Sequence, residues 1–268
     1  PASADIASFP DEVGRWACDT PESNVRIRRV SLCRVTTKDG AAEPTEKFGV
    51  IRYRVLVEKG LRGLGPSFER RVDQILGLDS GWAGAGVRFV RAGRSFDLSV
   101  ILAQPSSVDR LCRPLTTRGE LSCAMARNAV LNARRWNEGA KTWGANVQGY
   151  HHYLVNHEVG HVLGLRHLRC SAEGLPAPVM LQQTIHLKGC LANGFITPTD
   201  VNSLMRIMPR LRRRFRGFEP RQVRPNRVTR RRARRKVRSR RRFRARRSVS
   251  RRVTRRRTAR RRVRRRRR

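Results

Sequence analysis

The sequence predicts an α/β domain of the α+β kind, with a small mixed and twisted sheet, two main helices and a C-terminal helix, followed by a basic disordered tail. Three observations carry that expectation. Residues 50–57, VIRYRVLV, are rich in β-branched and apolar side chains. Residues 66–78 and 148–165 repeat apolar side chains at helical spacing. From residue 210 the chain becomes a low-complexity arginine run.

Taken in order, residues 1–47 are polar and poorly periodic apart from an alternating piece at 25–35, and read as an irregular N-terminal extension. The domain is expected over residues 48–209. Its first strand, 50–57, gives way to a Gly-rich turn at 60–65. In the helix at 66–78, Phe68, Val72, Ile75 and Leu76 share a face, and Gly77 and Gly81 flank its end. Residues 87–91 and 96–102 read as strands joined at Gly93, and 129–133 as a fourth. The second long helix, 148–165, carries Tyr150, Leu154, Val155, Val159, Val162 and Leu163 at roughly helical spacing and ends at Gly164. A loop rich in Pro and Gly spans 168–190. Thr197-Pro198-Thr199-Asp200 then has the form of a helix start: a capping hydroxyl, a proline suited to the first turn, and an acid at the positive helix end. The helix expected at 201–208 closes the domain.

Charge is unevenly placed. The net charge is +41, yet residues 210–268 hold 34 of the 61 Lys and Arg and a single acid, Glu219, which leaves +8 on residues 1–209. Val228, Val237, Phe243, Val249, Val253 and Val263 keep neither a helical nor a strand period, so this segment has too little apolar surface to offset the entropy of ordering and is expected to be disordered alone. Three readings of the tail are open. It contacts an anionic polymer or membrane headgroups. It binds nucleic acid, for which it lacks the interleaved aromatic residues of a stacking platform. Or its near-exclusive use of Arg over Lys reflects an out-of-frame reading of GC-rich DNA.

Six cysteines, Cys18, Cys33, Cys112, Cys123, Cys170 and Cys190, occur without any C-x-x-C spacing. An even count of that kind points to disulfides in an exported protein, against the alternative of buried thiols in a cytosolic one. Proximity suggests Cys112–Cys123, Cys170–Cys190 and Cys18–Cys33. No run of ~18 apolar residues that could span a bilayer is present. No leader is visible in a chain that starts at Pro1.

The segment His157-Glu158-Val159-Gly160-His161-Val162-Leu163-Gly164-Leu165-Arg166-His167 carries the chemistry. His157 and His161 are four apart, so on a helix their rings project from one face, one turn apart. Two imidazoles so placed chelate a zinc ion at ~2.0–2.1 Å. Glu158 stands next to the position where water binds and serves as general base. Gly164 lets the chain turn back by adopting positive φ, so that His167 arrives as third ligand. In a chain of this composition the pattern arises by chance on the order of once in 10⁵.

These residues resemble the metzincin clan of zinc metallopeptidases, whose signature is followed by a Met-turn. Pro178-Val179-Met180 fits that turn, and the resemblance implies that Met180 forms an apolar floor without binding the metal. The stretches Asp109-Arg110-Leu111-Cys112, Val130 to Trp136, Tyr153 to His161 and Pro176 to Met180 are similar to an uncharacterised family of exported actinobacterial zincin-like proteins. That similarity spans residues 48–190. It implies a zincin-like fold, an extracytoplasmic location, secreted or at the cell surface, and zinc-dependent hydrolysis of a peptide or protein substrate. It also implies that an upper edge strand, for which residues 129–133 are the candidate, receives the substrate. A catalytically inert peptidase-like binding protein and a polyanion or nucleic-acid binder acting through the tail are the competing readings. His151 and His152 are expected as solvated helix positions, Tyr150 and Tyr153 as core, and His186 as a residue able to approach the cleft.

Overall fold

The computed structural model describes residues 24–34, 50–92 and 95–215. Among them are seven strands in one mixed sheet and five α-helices. The alternating piece in the N-terminal region forms a hairpin, β1 (Asn24–Ile27) and β2 (Val30–Arg34), whose antiparallel pairing continues onto β3 (Val50–Glu58). The expected turn at 60–65 is a 3-10 helix, Lys59–Leu64, that leads into α1 (Gly65–Gly77). Strand β4 (Arg88–Arg91) runs parallel to the start of β3, and β5 (Leu98–Ala103) runs parallel to its end. Gly93, the expected turn between them, lies outside the described residues.

Strand β7 (Asn128–Asn132) runs parallel to β5, and the short β6 (Cys123–Met125) pairs antiparallel with its other side. The order across the sheet is therefore β1-β2-β3-β5-β7-β6, with β4 beside β3. This corrects the expectation for residues 129–133. That segment is a strand, but it is interior. The edge belongs to β6, a three-residue strand with no period of its own, which pairing to β7 and a disulfide hold in place.

Side-chain alternation sorts the strands onto two layers. Ile51, Tyr53, Val55 and Val57 of β3, with Val100 and Leu102 of β5 and Leu131 of β7, pack against α1, α4 (Val147–Leu163) and α5 (Pro198–Arg214). Leu56, Ile101 and Val130 face the other way, onto α2 (Pro105–Leu111) and the β1–β2 hairpin. The short helix α3 (Ala133–Glu138) follows β7 directly, capped by the Asn132 side chain accepting from Arg134 N. Neither α2 nor α3 is expected from periodicity: both are under two turns.

The cysteine pairing Cys112–Cys123 joins the end of α2 to β6, and Cys170–Cys190 closes the loop after α4. Of the third expected pair, Cys18 lies outside the described residues; no described cysteine is a free thiol. Disulfides suggest an extracytoplasmic location. Among the described residues no helix is long and apolar enough to cross a membrane.

Helix α5 begins as expected. Thr197 Oγ1 accepts from Asp200 N, and the Asp200 carboxylate accepts from Thr197 N, completing a capping box. The helix does not stop at Met208. It continues through Pro209 to Arg214, and Leu204, Met208 and Leu211 recur at spacings of four and three to bury one face, with Phe215 buried just beyond. Residues 210–215, read from composition as the start of a disordered tail, therefore complete the core. Residues 216–268, the remainder of that tail, lie outside the described residues.

Candidate metal centre and cleft

Helix α4 is the centre of the site. Asn146 caps its start by accepting from Gly149 N. It is buried on nearly all sides, as a helix enclosed between a sheet and other helices must be. Gly164 ends it at φ 105°, the left-handed conformation the sequence anticipates, and Leu165 N donates back to Gly160 O at 3.0 Å. A Cβ at Gly164 would meet only Ile207 Cδ1, at 3.7 Å. Backbone conformation, not space, thus demands glycine there.

The reversal brings His167 beside the helix. One ring nitrogen from each of His157, His161 and His167 lies within 4.8 Å of the other two, and this is the sole such cluster of His, Cys, Asp or Glu with metal-binding geometry among the described residues. His161 Nε2 and His167 Nε2 are 3.0 Å apart. The rings are oriented from behind. His157 Nδ1 is 2.6 Å from Val179 O and His161 Nδ1 is 2.9 Å from Leu165 O. A carbonyl can only accept, so both Nδ1 atoms carry the proton and both Nε2 atoms present a lone pair forward. Burial holds His157 and His161 below the usual histidine range, and burial together with His161 puts His167 at about 4. Neutral imidazoles that converge in this way can hold a metal ion.

Glu158 is 4% exposed and its Oε2 has no hydrogen-bond partner. Desolvation raises its pKa to about 8. A carboxylate with an unpartnered oxygen, buried beside three neutral imidazoles, is an arrangement a cation would relieve.

Met180 is fully buried and packs against α4 at Gly160, between the first two histidines. A Cβ on Gly160 would come within 2.4 Å of Met180 Sδ and 2.9 Å of Trp82 Cζ2. Nothing in the local pattern marks Gly160 for this role, because the contact is long-range and leaves no periodic trace. The turn carrying Met180 is fixed by Asp200, whose carboxylate accepts from Val179 N at 3.1 Å and Met180 N at 3.2 Å. Gln183 Nε2 adds a donation to Pro178 O. Asp200 thus serves two functions, of which only the helix start was legible.

A cleft of about 430 Å³ opens in front of the triad, between β6 with the loop before it and the segment after Met180. Its lining includes Tyr153, Glu158 and all three histidines. Of the remaining candidates, His151 is not a solvated position: its ring stacks on Trp136 at 3.8 Å with Nε2 2.6 Å from Trp136 O. His152 lies against Phe195, half-buried. Neither joins the triad. Tyr150 and Tyr153 are buried as expected, but Tyr153 also reaches the cleft. His186 is close enough to His167 to depress its pKa.

A family model described as "Protein of unknown function (DUF3152)" matches residues 33–202, more than half of the chain. The chain belongs to the DUF3152 family. The matched span runs from β2 to the first turn of α5, so the DUF3152 region contains the triad, Glu158, Met180 and Asp200 together. It leaves most of α5 and the arginine-rich segment outside. No curated protein matches the chain.

Proposed function

We propose that this protein is a zinc-dependent peptide hydrolase with a zincin-like domain, exported from the cell. The observation that carries the reading is the convergence of three neutral imidazoles, two of them oriented by backbone carbonyls, beside an unpartnered buried carboxylate in an open cleft. The donor set fits zinc: all-nitrogen, three protein ligands, and a cleft in front in which a fourth position stays open. The resemblance of His157 to His167 and of Met180 to the metzincin pattern supports the same metal and fold.

Zinc held there supplies Lewis acidity toward a scissile carbonyl and lowers the pKa of water toward ~7. Glu158 takes the proton from the attacking water and returns it to the departing amine nitrogen, so that the C–N bond breaks with hydroxyl on carbon and hydrogen on nitrogen. The carboxyl raised by burial fits this exchange, since a nearby cation returns its pKa toward neutrality and below. Val179 O and Leu165 O hold His157 and His161 in one tautomer. Among the described residues β6 is the last strand on its side of the sheet and lines the cleft, and an extended peptide adds there as a further strand.

The test is metal analysis joined to a peptide-library assay. The expected result is about one zinc per chain and cleavage that is lost in Glu158→Ala with the metal retained. Metal-loaded protein that cuts no peptide would instead favour a binding role.

A second, compatible reading rests on charge. The concentration of Arg after residue 215 supports contact with an anionic polymer or lipid surface. Because Leu211 and Phe215 belong to the core, the cut that tests it falls after Phe215. Polyanion binding is expected to disappear while metal content stays.

A further inference from the structure

Away from the cleft, a pair of cations shares one face of the sheet without a counter-charge. Arg34, the last residue of β2, stands opposite Leu56 in the antiparallel register with β3. Leu56 faces the layer turned away from α4, so Arg34 and Arg54 lie on that face as diagonal neighbours, about 7–8 Å apart along the backbone. Arg54 is firmly placed. Its Nε donates at 3.0 Å to Ser99 Oγ, on its register partner in β5, and its guanidinium carbon lies 3.5 Å from the centre of the Phe96 ring. Both arginines are partly buried, and Arg34 Nε is buried without a hydrogen-bond partner. No carboxylate among the described residues pairs with either one. Asp97, just before β5, is taken up by Arg52, which donates to it from Nε and from its backbone N–H. Burial, and after it the charge of Arg34, bring Arg54 down to about 10. Like charges so close across a strand pair repel, and a bound anion would offset that cost.

We propose that Arg34 and Arg54 form a seat for the phosphate monoester group of a ligand. Ser99 occupies Nε of Arg54 and leaves its two terminal nitrogens as a fork. Such a fork suits the oxygens of a phosphate, and a phosphate monoester brings a charge near −2 and three strong acceptors to a pair of charge +2. A carboxylate brings one charge and two oxygens, and a sulfate ester only one charge. The seat lies on the face of the sheet away from α4, so its ligand leaves the metal centre open and anchors the protein instead of entering a reaction. It uses neither the triad nor the arginine-rich segment, and goes beyond both readings given above.

The test is thermal unfolding of the full chain at about pH 8, where a phosphate monoester is a dianion, in methyl phosphate, methyl sulfate or acetate at equal ionic strength. At about 20 mM methyl phosphate the Tm is expected to rise by about 2–4 °C, and by less than about 1 °C in the other two salts. The rise in methyl phosphate is expected to fall below about 1 °C in Arg34→Met, which keeps an unbranched stem, and in Arg54→Gln, which keeps a donor for Ser99. Either variant carries the comparison if the other fails to fold. Parent and variants share the same arginine-rich segment, so its own anion contacts cancel between them. Without added phosphate, Arg34→Met is expected to unfold no earlier than the parent, because a repulsion is removed. Equal rises in all three salts, no rise in the parent, or a rise unchanged in the folded variants each overturns the proposal. Earlier unfolding of Arg34→Met without phosphate also overturns it, since Arg34 would then have its partner within the chain.

Discussion

Gly160→Ala probes how closely the Met180 turn must approach α4. In an isolated helix the change stabilises by about 1 kcal/mol. Here the new methyl would sit 2.4 Å from Met180 Sδ and 2.9 Å from Trp82 Cζ2. The sulfur sits in a flexible side chain and can withdraw. The indole cannot do so easily, since Trp82 Nε1 donates to Asn156 O at 2.8 Å. Overpacking of this kind costs about 1–3 kcal/mol, so a net destabilisation of about 1 kcal/mol is expected, or roughly 2–4 °C in Tm. The larger effect is on the metal. Displacing Met180 moves its neighbour Val179, whose carbonyl orients His157. Loss of such an orienting partner weakens metal affinity about 10–100-fold. Zinc affinity measured by competition with a chromophoric chelator, alongside a urea titration, reads both quantities. Repeating Gly160→Ala in a Met180→Ala background should relieve much of the penalty, with a coupling of about 1 kcal/mol. A variant that is more stable than the parent and binds zinc equally well would refute the proposed contact.

The other predictions concern the supports of the site. Asp200→Ala removes the acceptor for Thr197 N, Val179 N and Met180 N in a buried setting, and about 3 kcal/mol of stability is expected to go with it in urea unfolding. Asp200→Asn, which keeps one acceptor oxygen, is expected to lose less. Replacing Cys112 and Cys123 together by Ala opens a link of sequence separation 11 and is expected to cost about 3 kcal/mol by the loop-closure relation. Because Cys123 lies on β6, peptide binding should weaken in that variant as well. Gly164→Ala meets Ile207 Cδ1 at an ordinary contact distance and suffers only from its φ of 105°, so about 1–2 kcal/mol is expected, with zinc affinity falling as His167 is displaced.

Much of the candidate site was legible because it is local. His157, Glu158, His161, Gly164 and His167 lie within one helix and its turn, where spacing dictates direction. The capping box at Thr197 and Asp200 and the two short-range disulfides are local for the same reason. Long-range placement was not legible. Strand β6 is too short to show a period, so the sequence points to residues 129–133 as the edge that β6 in fact occupies. The close approach of Met180 to Gly160 and the tether from Asp200 to the Met180 turn depend on tertiary packing. Arginine-rich composition and Pro209 obscured the last turn of α5, although Leu211 and Phe215 continue its buried face. His151 illustrates the same limit: as a helix residue it looked solvated, and stacking on Trp136 decides otherwise.

The most direct test of the account is X-ray absorption on the zinc-loaded protein, with metal content measured on the same sample. About one zinc per chain is predicted, with a shell of three imidazole nitrogens at ~2.0–2.1 Å, and its loss when His157, His161 and His167 are all replaced by Ala. Protein that takes up no stoichiometric zinc, or that binds it equally well without the three histidines, would contradict the account.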